Sequence, residues 1–343
     1  MKKNHRRLIG HFILIVILIS LAFINFPLAP TFVQNYYREA KPDYIHRKLS
    51  PSTYPSSIEN QTNFFRSNSE RDETPTTASV IGSDDRIRVS PTTSFPWISI
   101  CKIYAQFSSS NIYTGSGAMI DEQHVLTAAH VIYSEKDGGW ATGVLVIPGM
   151  DNGAETSIGS AGASDLYTCL GWALYETPEN DFAVIKLDKQ LGKETGYMDL
   201  YSTEEDDPAY TGTINTAGYP GELDQGLNMY RTAGTGYETD DYFHYYFLDV
   251  TGGQSGSPVW VYDGQDRYII SVISYGSTNL NLGPRLNKKN SELITEWLQG
   301  PENTDNEEEQ PTSIPFSTGL WICITISTLS VISIKTFYKL RKK

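Results

Sequence analysis

Between Val80 and Leu298 the chain is broken into short apolar runs separated by Gly, Asp, Asn and Pro. Trp97-Ile-Ser-Ile-Cys-Lys-Ile-Tyr104, Gly143-Val-Leu-Val-Ile147, Phe182-Ala-Val-Ile-Lys-Leu187 and Tyr268-Ile-Ile-Ser-Val-Ile273 have strand length and are rich in β-branched residues. About 220 residues punctuated in this way fit an all-β double barrel or large sandwich, and no internal repeat at a fixed spacing suggests a solenoid. One helix is expected, from Ser291 to Leu298: Ser291 can cap it, and Leu293, Ile294, Trp297 and Leu298 fall on one face.

The ends of the 343-residue chain have a different texture. Leu8 to Ala29 is apolar, follows Lys2, Lys3, Arg6 and Arg7, and is close to the length that crosses a bilayer. Residues 1–29 are therefore expected to be a signal peptide or an uncleaved signal anchor. Ile314 to Ile334 is a second apolar stretch, followed by Lys335 and the cluster Lys339 to Lys343. With positive charge staying inside, 314–334 reads as a transmembrane segment and 335–343 as a basic cytoplasmic tail. Residues 300–313 form an acidic linker, and 30–79, rich in Ser, Thr, Asn and Pro, read as an unstructured propeptide or stalk. All 40 Asp and Glu lie between the two basic tips, while nine of the 27 Lys and Arg lie in them. The acidic middle has no surface able to neutralise a phosphate backbone, so no nucleic-acid partner is expected.

Three segments of the middle region carry chemistry. Gly252-Gly-Gln-Ser255-Gly-Ser-Pro258 places a serine among glycines just ahead of a strand. Such a turn exposes a side chain and aims successive backbone N–H groups at one point, which acyl transfer to a serine requires. Leu126-Thr-Ala-Ala-His130 runs an apolar strand into two alanines and a histidine that can take the serine proton, a setting His124 and His244 lack. Glu179-Asn-Asp181 stands at the entrance to an apolar strand, where Asp181 can hold the far nitrogen of His130. Asp137, Asp165 and Asp188 are cruder alternatives without that context. Each segment alone also fits an ordinary turn or a loop residue; their combination is specific.

The order His130, Asp181, Ser255, with T-A-A-H and G-x-S-G-S-P, resembles the trypsin-like serine peptidases, and within them the bacterial glutamyl endopeptidases. Val80-Ile-Gly-Ser-Asp-Asp-Arg86, Thr92-Thr93, Gly218-Tyr-Pro-Gly221 and Leu248-Asp-Val-Thr-Gly-Gly-Gln-Ser255 agree with that subgroup. The likeness covers residues 80–299 and implies two six-stranded antiparallel β-barrels with a short C-terminal helix, flanked by the hydrophobic N- and C-terminal segments. It further implies hydrolysis of peptide bonds in protein or peptide substrates through an acyl-enzyme. Ser255 would be the nucleophile, His130 the general base and acid, and Asp181 the orienting carboxylate. The N–H groups of Gly253 and Ser255 would form the oxyanion hole. No cofactor or metal ion is implied, and the acidic clusters Glu204–Asp207 and Asp240-Asp241 lack the ligand spacing of a calcium loop. In the family a propeptide is removed, which here would place the cut near Ser79-Val80. The whole reads as an exported enzyme held at the cell membrane by its C-terminal span, or shed from it; the alternative is a binding module on an inactive peptidase fold.

Substrate preference departs from the subgroup. The family's glutamate-selecting histidine precedes an aromatic-Gly pair, and the matching stretch here is Ser271-Val-Ile-Ser-Tyr-Gly276, without histidine. Ser274 takes that place, or Ile273 if the alignment slips by one; Ile273, Ser274, Tyr275 and Gly276 stay suited to pairing with a substrate backbone. Asp249, six residues before Ser255, is either structural or a receptor for Lys or Arg. Cys101 and Cys169 either pair or remain thiols, and Cys323 lies in the expected span.

Overall fold

The computed structural model describes residues 44–49, 79–107, 111–201, 207–276 and 279–300. The expected N-terminal signal or anchor, the C-terminal span with Cys323, the linker beyond Gly300 and residues 204–206 lie outside the described residues. Among the described residues no helix is long and apolar enough to cross a membrane.

The first sheet contains β1 (Tyr44–Lys48), β2 (Ile100–Gln106), β3 (Ile112–Met119), β4 (His124–Thr127), β5 (Gly143–Pro148), β6 (Ala161–Cys169) and β7 (Ala183–Leu187), in the order β1-β6-β7-β4-β3-β2-β5. Every pairing is antiparallel, and β5 returns to β6 at Leu145–Gly162 and Val146–Ala161, which closes a six-stranded barrel. Strands β5 and β7 are apolar runs, not alternating ones, because both of their faces are covered. Ala183, Val184, Ile185 and Leu187 are all fully buried. The main strands of the second sheet are β8 (Thr213–Gly218), β9 (Tyr230–Thr239), β10 (Phe243–Tyr246), β11 (Pro258–Tyr262), β12 (Arg267–Val272), β13 (Tyr275–Gly276) and β14 (Asn281–Pro284), with the two-residue strands Ile87–Arg88 and Asp199–Leu200 added beside β9 and β12. Their order is β12-β11-β8-β9-β10-β14-β13. A bridge between Ser271 and Arg285, with the Leu286 N–H donated to Ile270 O at 2.9 Å, ties β12 back to the end of β14. Six strands thus curl into a second barrel, closed by a single bridge where the first has a ladder.

Among the described residues the α-helices are α1 (Ala129–Ile132), α2 (Leu170–Tyr175) and α3 (Lys288–Gln299), besides the single turn Gly192–Thr195. α3 buries the predicted face, with Ile294 and Trp297 fully enclosed, and Trp297 stacks on Phe182 at 5.6 Å and on Tyr167 at 6.3 Å. Its start differs from expectation. Asn287 caps it, its Oδ1 accepting the Asn290 N–H at 2.9 Å, and Ser291 lies inside the first turns with its N–H bonded to Asn287 O. Asn is as good a cap as Ser, and Lys288 and Lys289 lend the first turn no apolar signal.

Two further expectations are corrected. Residues 44–48, within the stretch read as unstructured, form β1 on β6. A five-residue edge strand carries too few alternating apolar positions to stand out; its partner strand decides its conformation. The run Trp97 to Tyr104 is split, because Trp97–Ser99 make a 3-10 turn before β2 begins. No disulfide joins Cys101 and Cys169; both are buried thiols, and burial pushes the Cys101 pKa up, out of the reactive range.

Candidate active site

Thr127 of β4 lies opposite Ala183 of β7, so this one pairing brings together the residues just beyond Thr127 and just before Ala183. β4 runs on through the fully buried Ala128 and Ala129 into α1, which carries His130. β7 is entered from the 3-10 turn Pro178–Asn180 through Asp181. The Asp181 carboxylate, fully buried, accepts the His130 Nδ1–H at 2.7 Å on Oδ2 and the His130 backbone N–H at 2.8 Å on Oδ1. The Ser274 hydroxyl also donates to Oδ2. A buried carboxylate needs hydrogen-bond donors in place of the water it loses, and three supply them here. Holding the proton on Nδ1 leaves Nε2 as the basic nitrogen of the ring. The other aspartates face elsewhere: Asp137 accepts from Ser134 at 2.7 Å, Asp165 pairs with His46 at 2.8 Å, and Asp188 accepts the Gly162 N–H at 3.2 Å. His124 pairs with Asp121 and His244 with Tyr210 O, so His130 alone of the three weighed meets Asp181.

Ser255 sits on a tight turn in which Thr251 O accepts the Gln254 N–H and Gln254 O accepts the Ser257 N–H. Gly253 (φ 88°) and Gly256 (φ 80°) hold left-handed conformations there, and neither has room for a side chain. A Cβ on Gly253 would meet Tyr219 O at 2.5 Å, and one on Gly256 would run into Thr127 and the Ala128 nitrogen. The turn is therefore wedged against the residues that lead into His130. Ser255 O accepts the Ser116 N–H at 2.8 Å, and the Ser116 hydroxyl donates to Gly253 O at 2.8 Å, which fixes the turn to β3 of the first barrel. Among the described residues no protein group accepts the N–H of Gly253 or Ser255. Such a frame can offer a hydroxyl to a carbonyl and two backbone donors to the oxygen that becomes negative.

The expected substrate-binding stretch is divided between the core and the site. Ile273 is buried in the core of the second barrel, its N–H on Ser257 O at 2.8 Å and its O on the Gly256 N–H at 2.7 Å. Ser274 is fully buried with its hydroxyl on Asp181, so its side chain orients the carboxylate. Tyr275 and Gly276 form β13, paired with Leu282 and Asn281. Tyr275 borders a cavity of about 330 Å³ beside His130, with Trp172, Glu176 and Pro178 on the same wall. Burial, reinforced by the nearby Asp181 charge, pushes the Tyr275 hydroxyl far above its usual pKa, so it remains neutral.

Trp172 and Pro178 carry no motif in the sequence, yet both line the cavity beside His130, and the Val80–Arg86 segment, read from the sequence only as a family-like start, reaches the Ser255 turn through Arg86. Asp249 is the anchor of that segment: Oδ1 accepts the Ile81 N–H at 2.7 Å and Oδ2 the Asp85 N–H at 2.9 Å. Both oxygens are thus committed within the protein, which favours the structural reading of Asp249. Arg86 then reaches the Ser255 turn, donating to Gln254 Oε1 at 2.9 Å and Thr251 Oγ1 at 2.8 Å, with Glu222 and Asp84 on its other side. Asn281 holds both backbone groups of Ser79, accepting its N–H at 3.1 Å and donating to its oxygen at 2.7 Å. Among the described residues no group of three or more His, Cys, Asp and Glu is gathered for a metal ion.

Comparison with known proteins bears on the family and the fold. A profile described as a trypsin-like peptidase domain matches residues 115–266. Glutamyl endopeptidase of Bacillus licheniformis is 33% identical over 234 residues, 64% of this chain and 69% of that one. A Bacillus subtilis protein named extracellular metalloprotease is 29% identical over 222 residues, 64% of this chain and 70% of its own. Among solved structures, a Glu endopeptidase in complex with MPD superposes with a TM-score of 0.57 at 27% identity, covering 64% of this chain and 98% of the other. The thermostable serine protease AL20 shares the fold, with a TM-score of 0.53 at 20% identity over 60% of this chain and 98% of its own. Two barrels, the His130–Asp181 pair beside the Ser255 turn, and a relative matched over more than two thirds of its length lead to one conclusion: the chain belongs to the trypsin-like serine endopeptidases and is related to the glutamyl endopeptidases.

Proposed function

We propose that the chain hydrolyses peptide bonds through an acyl-enzyme on Ser255, with His130 as general base and acid and Asp181 as the orienting carboxylate. The supporting observation is the buried Asp181 carboxylate, which takes two hydrogen bonds from His130 and one from Ser274. Nε2 of His130 takes the Ser255 proton as the hydroxyl attacks the substrate carbonyl. The tetrahedral oxyanion is held by the N–H groups of Gly253 and Ser255, and the same proton passes to the leaving amine. Water then attacks the acyl-enzyme by the reverse sequence. The substrate lies as an extended strand along Ser274–Gly276, with its side chains passing the Trp172–Tyr275 wall.

Neither Ile273 nor Ser274 supplies an imidazole for a substrate carboxylate, so glutamate selectivity is not assigned. Peptides differing only in Glu, Lys, Phe or Ala before the cut bond measure the preference. The enzyme is exported on its N-terminal segment, matured near Ser79-Val80 and held at the surface by 314–334. N-terminal sequencing of secreted active protein should begin within about two residues of Val80, a margin set by fraying of such termini. A start near Ala29 would exclude that maturation.

A fluorophosphonate probe tests the chemistry. Wild-type matured protein should label, Ser255→Ala should not, and His130→Ala should label far more slowly. Peptide hydrolysis by Ser255→Ala should drop by about 10⁶-fold. Absence of labelling in correctly matured wild type would overturn the enzyme reading in favour of a surface binding module.

A further inference from the structure

β6 is nine residues long, and its two edges are used unequally. One edge pairs with β7 from Ala163 to Thr168. The other pairs with β5 at Ala161 and Gly162 only. Beyond that point the barrel supplies no strand, and five further residues, Asp165 to Cys169, are covered by β1 in the register Tyr44–Cys169 to Lys48–Asp165. Leu49 adds one more bond, its N–H donating to Ser164 O at 2.7 Å, and its side chain is buried in the first core. A sheet edge left open exposes a row of backbone donors and acceptors that the fold otherwise satisfies.

Side chains make the slot selective. Tyr44 and His46 share one face of β1. His46 stacks on Tyr167 at 4.6 Å with its Nε2 2.8 Å from Asp165 Oδ1, and Tyr44 packs against Tyr167 and against Trp297 of α3. The recognition element is thus an extended Tyr-x-His segment, read by an aromatic floor and a carboxylate, with main-chain bonds supplying most of the affinity.

We propose that the Ser164–Cys169 edge is a docking slot for Tyr44–Leu49 that outlasts cleavage of the chain, so that the matured enzyme carries this segment as a second, non-covalently held chain. Where the natural cut falls rests on the maturation reading above; the slot itself does not. Residues 50–78 separate Leu49 from Ser79, so any cut in them or at Ser79-Val80 leaves both docked ends intact. The segment then keeps whatever lies N-terminal to Tyr44 attached to the catalytic domain. It also keeps β1 against α2, whose Trp172 lines the cavity beside His130.

The test uses the full chain in detergent, carrying Ser255→Ala and a recognition site for a sequence-specific protease inserted within 50–78. After the cut, native mass spectrometry should find the fragment containing Tyr44–Leu49 bound to the domain. The Leu49 bond and antiparallel alternation aim the Arg47 N–H at β6, so Arg47→Pro removes a ladder donor and should weaken retention by about tenfold or more, whereas Arg47→Ala should retain the fragment. Loss of the wild-type fragment on cutting, or equal retention in Arg47→Pro, overturns the proposal. If sequencing places the natural cut elsewhere while the engineered fragment stays bound, only the maturation reading fails.

Discussion

Asp181 concentrates more of the design than any other residue. It is fully buried, and three donors from α1 and from the stretch before β13 converge on it. Hydrogen bonds to a charged acceptor contribute about 1.5–3 kcal/mol each, so Ser274→Ala should lower kcat roughly ten- to a hundredfold while KM changes little. A kinetic series of Ser274→Ala with Ser274→Thr, which retains a hydroxyl, checks this; a change confined to KM would place Ser274 in substrate binding instead. Asp249 makes a contrasting prediction, because both its oxygens hold backbone N–H groups of the 81–85 segment. Asp249→Ala should cost about 3 kcal/mol in urea unfolding of the Ser255→Ala background. In the active enzyme the same change should leave the ranking of Lys against Ala peptides as it was, and a specific loss of Lys or Arg cleavage would restore Asp249 to the specificity pocket.

At the level of elements, α3 acts as a brace behind the site. Trp297 stacks on Phe182, the residue after Asp181, and on Tyr167 of β6. Trp297→Ala should therefore destabilise the fold by about 3–5 kcal/mol, read from the urea midpoint, and reduce activity through Asp181 without touching substrate. The apolar face of this helix was legible in the sequence, since Ile294 and Trp297 recur at helical spacing, but its start was not, because Asn287 and Ser291 are chemically equivalent caps. The motif segments were legible for a similar reason. His130, Asp181 and Ser255 each stand where a strand meets a turn, so local sequence carries their setting. The partnership of Ser274 with Asp181 spans 93 residues and arises only when the stretches leading into β7 and β13 meet. β1 was hidden because its conformation comes from an open edge elsewhere in the chain, and the Arg86 network because loops 79–86, 222 and 251–254 meet only in three dimensions.

On the scale of the whole molecule, both barrels enclose polar groups, among them Lys102 in the first and His244 and Arg285 in the second, and His244 gives the second a response to acid. His244 Nε2 lies 2.8 Å from Tyr210 O, and the ring packs between Tyr210 at 5.4 Å and Tyr246 at 5.3 Å. The Arg285 guanidinium lies 4.4 Å from the Tyr210 ring centre, with Nη1 donating to Asp240 O. Burial lowers the His244 pKa from 6.5 to about 4, outweighing the opposing Tyr210 hydrogen bond, and the Arg285 charge adds a smaller push in the same direction as burial. The folded state therefore binds this proton less readily than the unfolded one. The stability contribution is complete above pH 6.5 and is lost as pH falls toward about 4, a change of about 3 kcal/mol for the shift given. His244→Gln keeps a donor for the Tyr210 carbonyl and cannot be protonated. In the Ser255→Ala background its unfolding free energy should decline less steeply than wild type over that interval, by about the same 3 kcal/mol. Parallel curves for the two proteins would show that acid acts on the barrel through other groups.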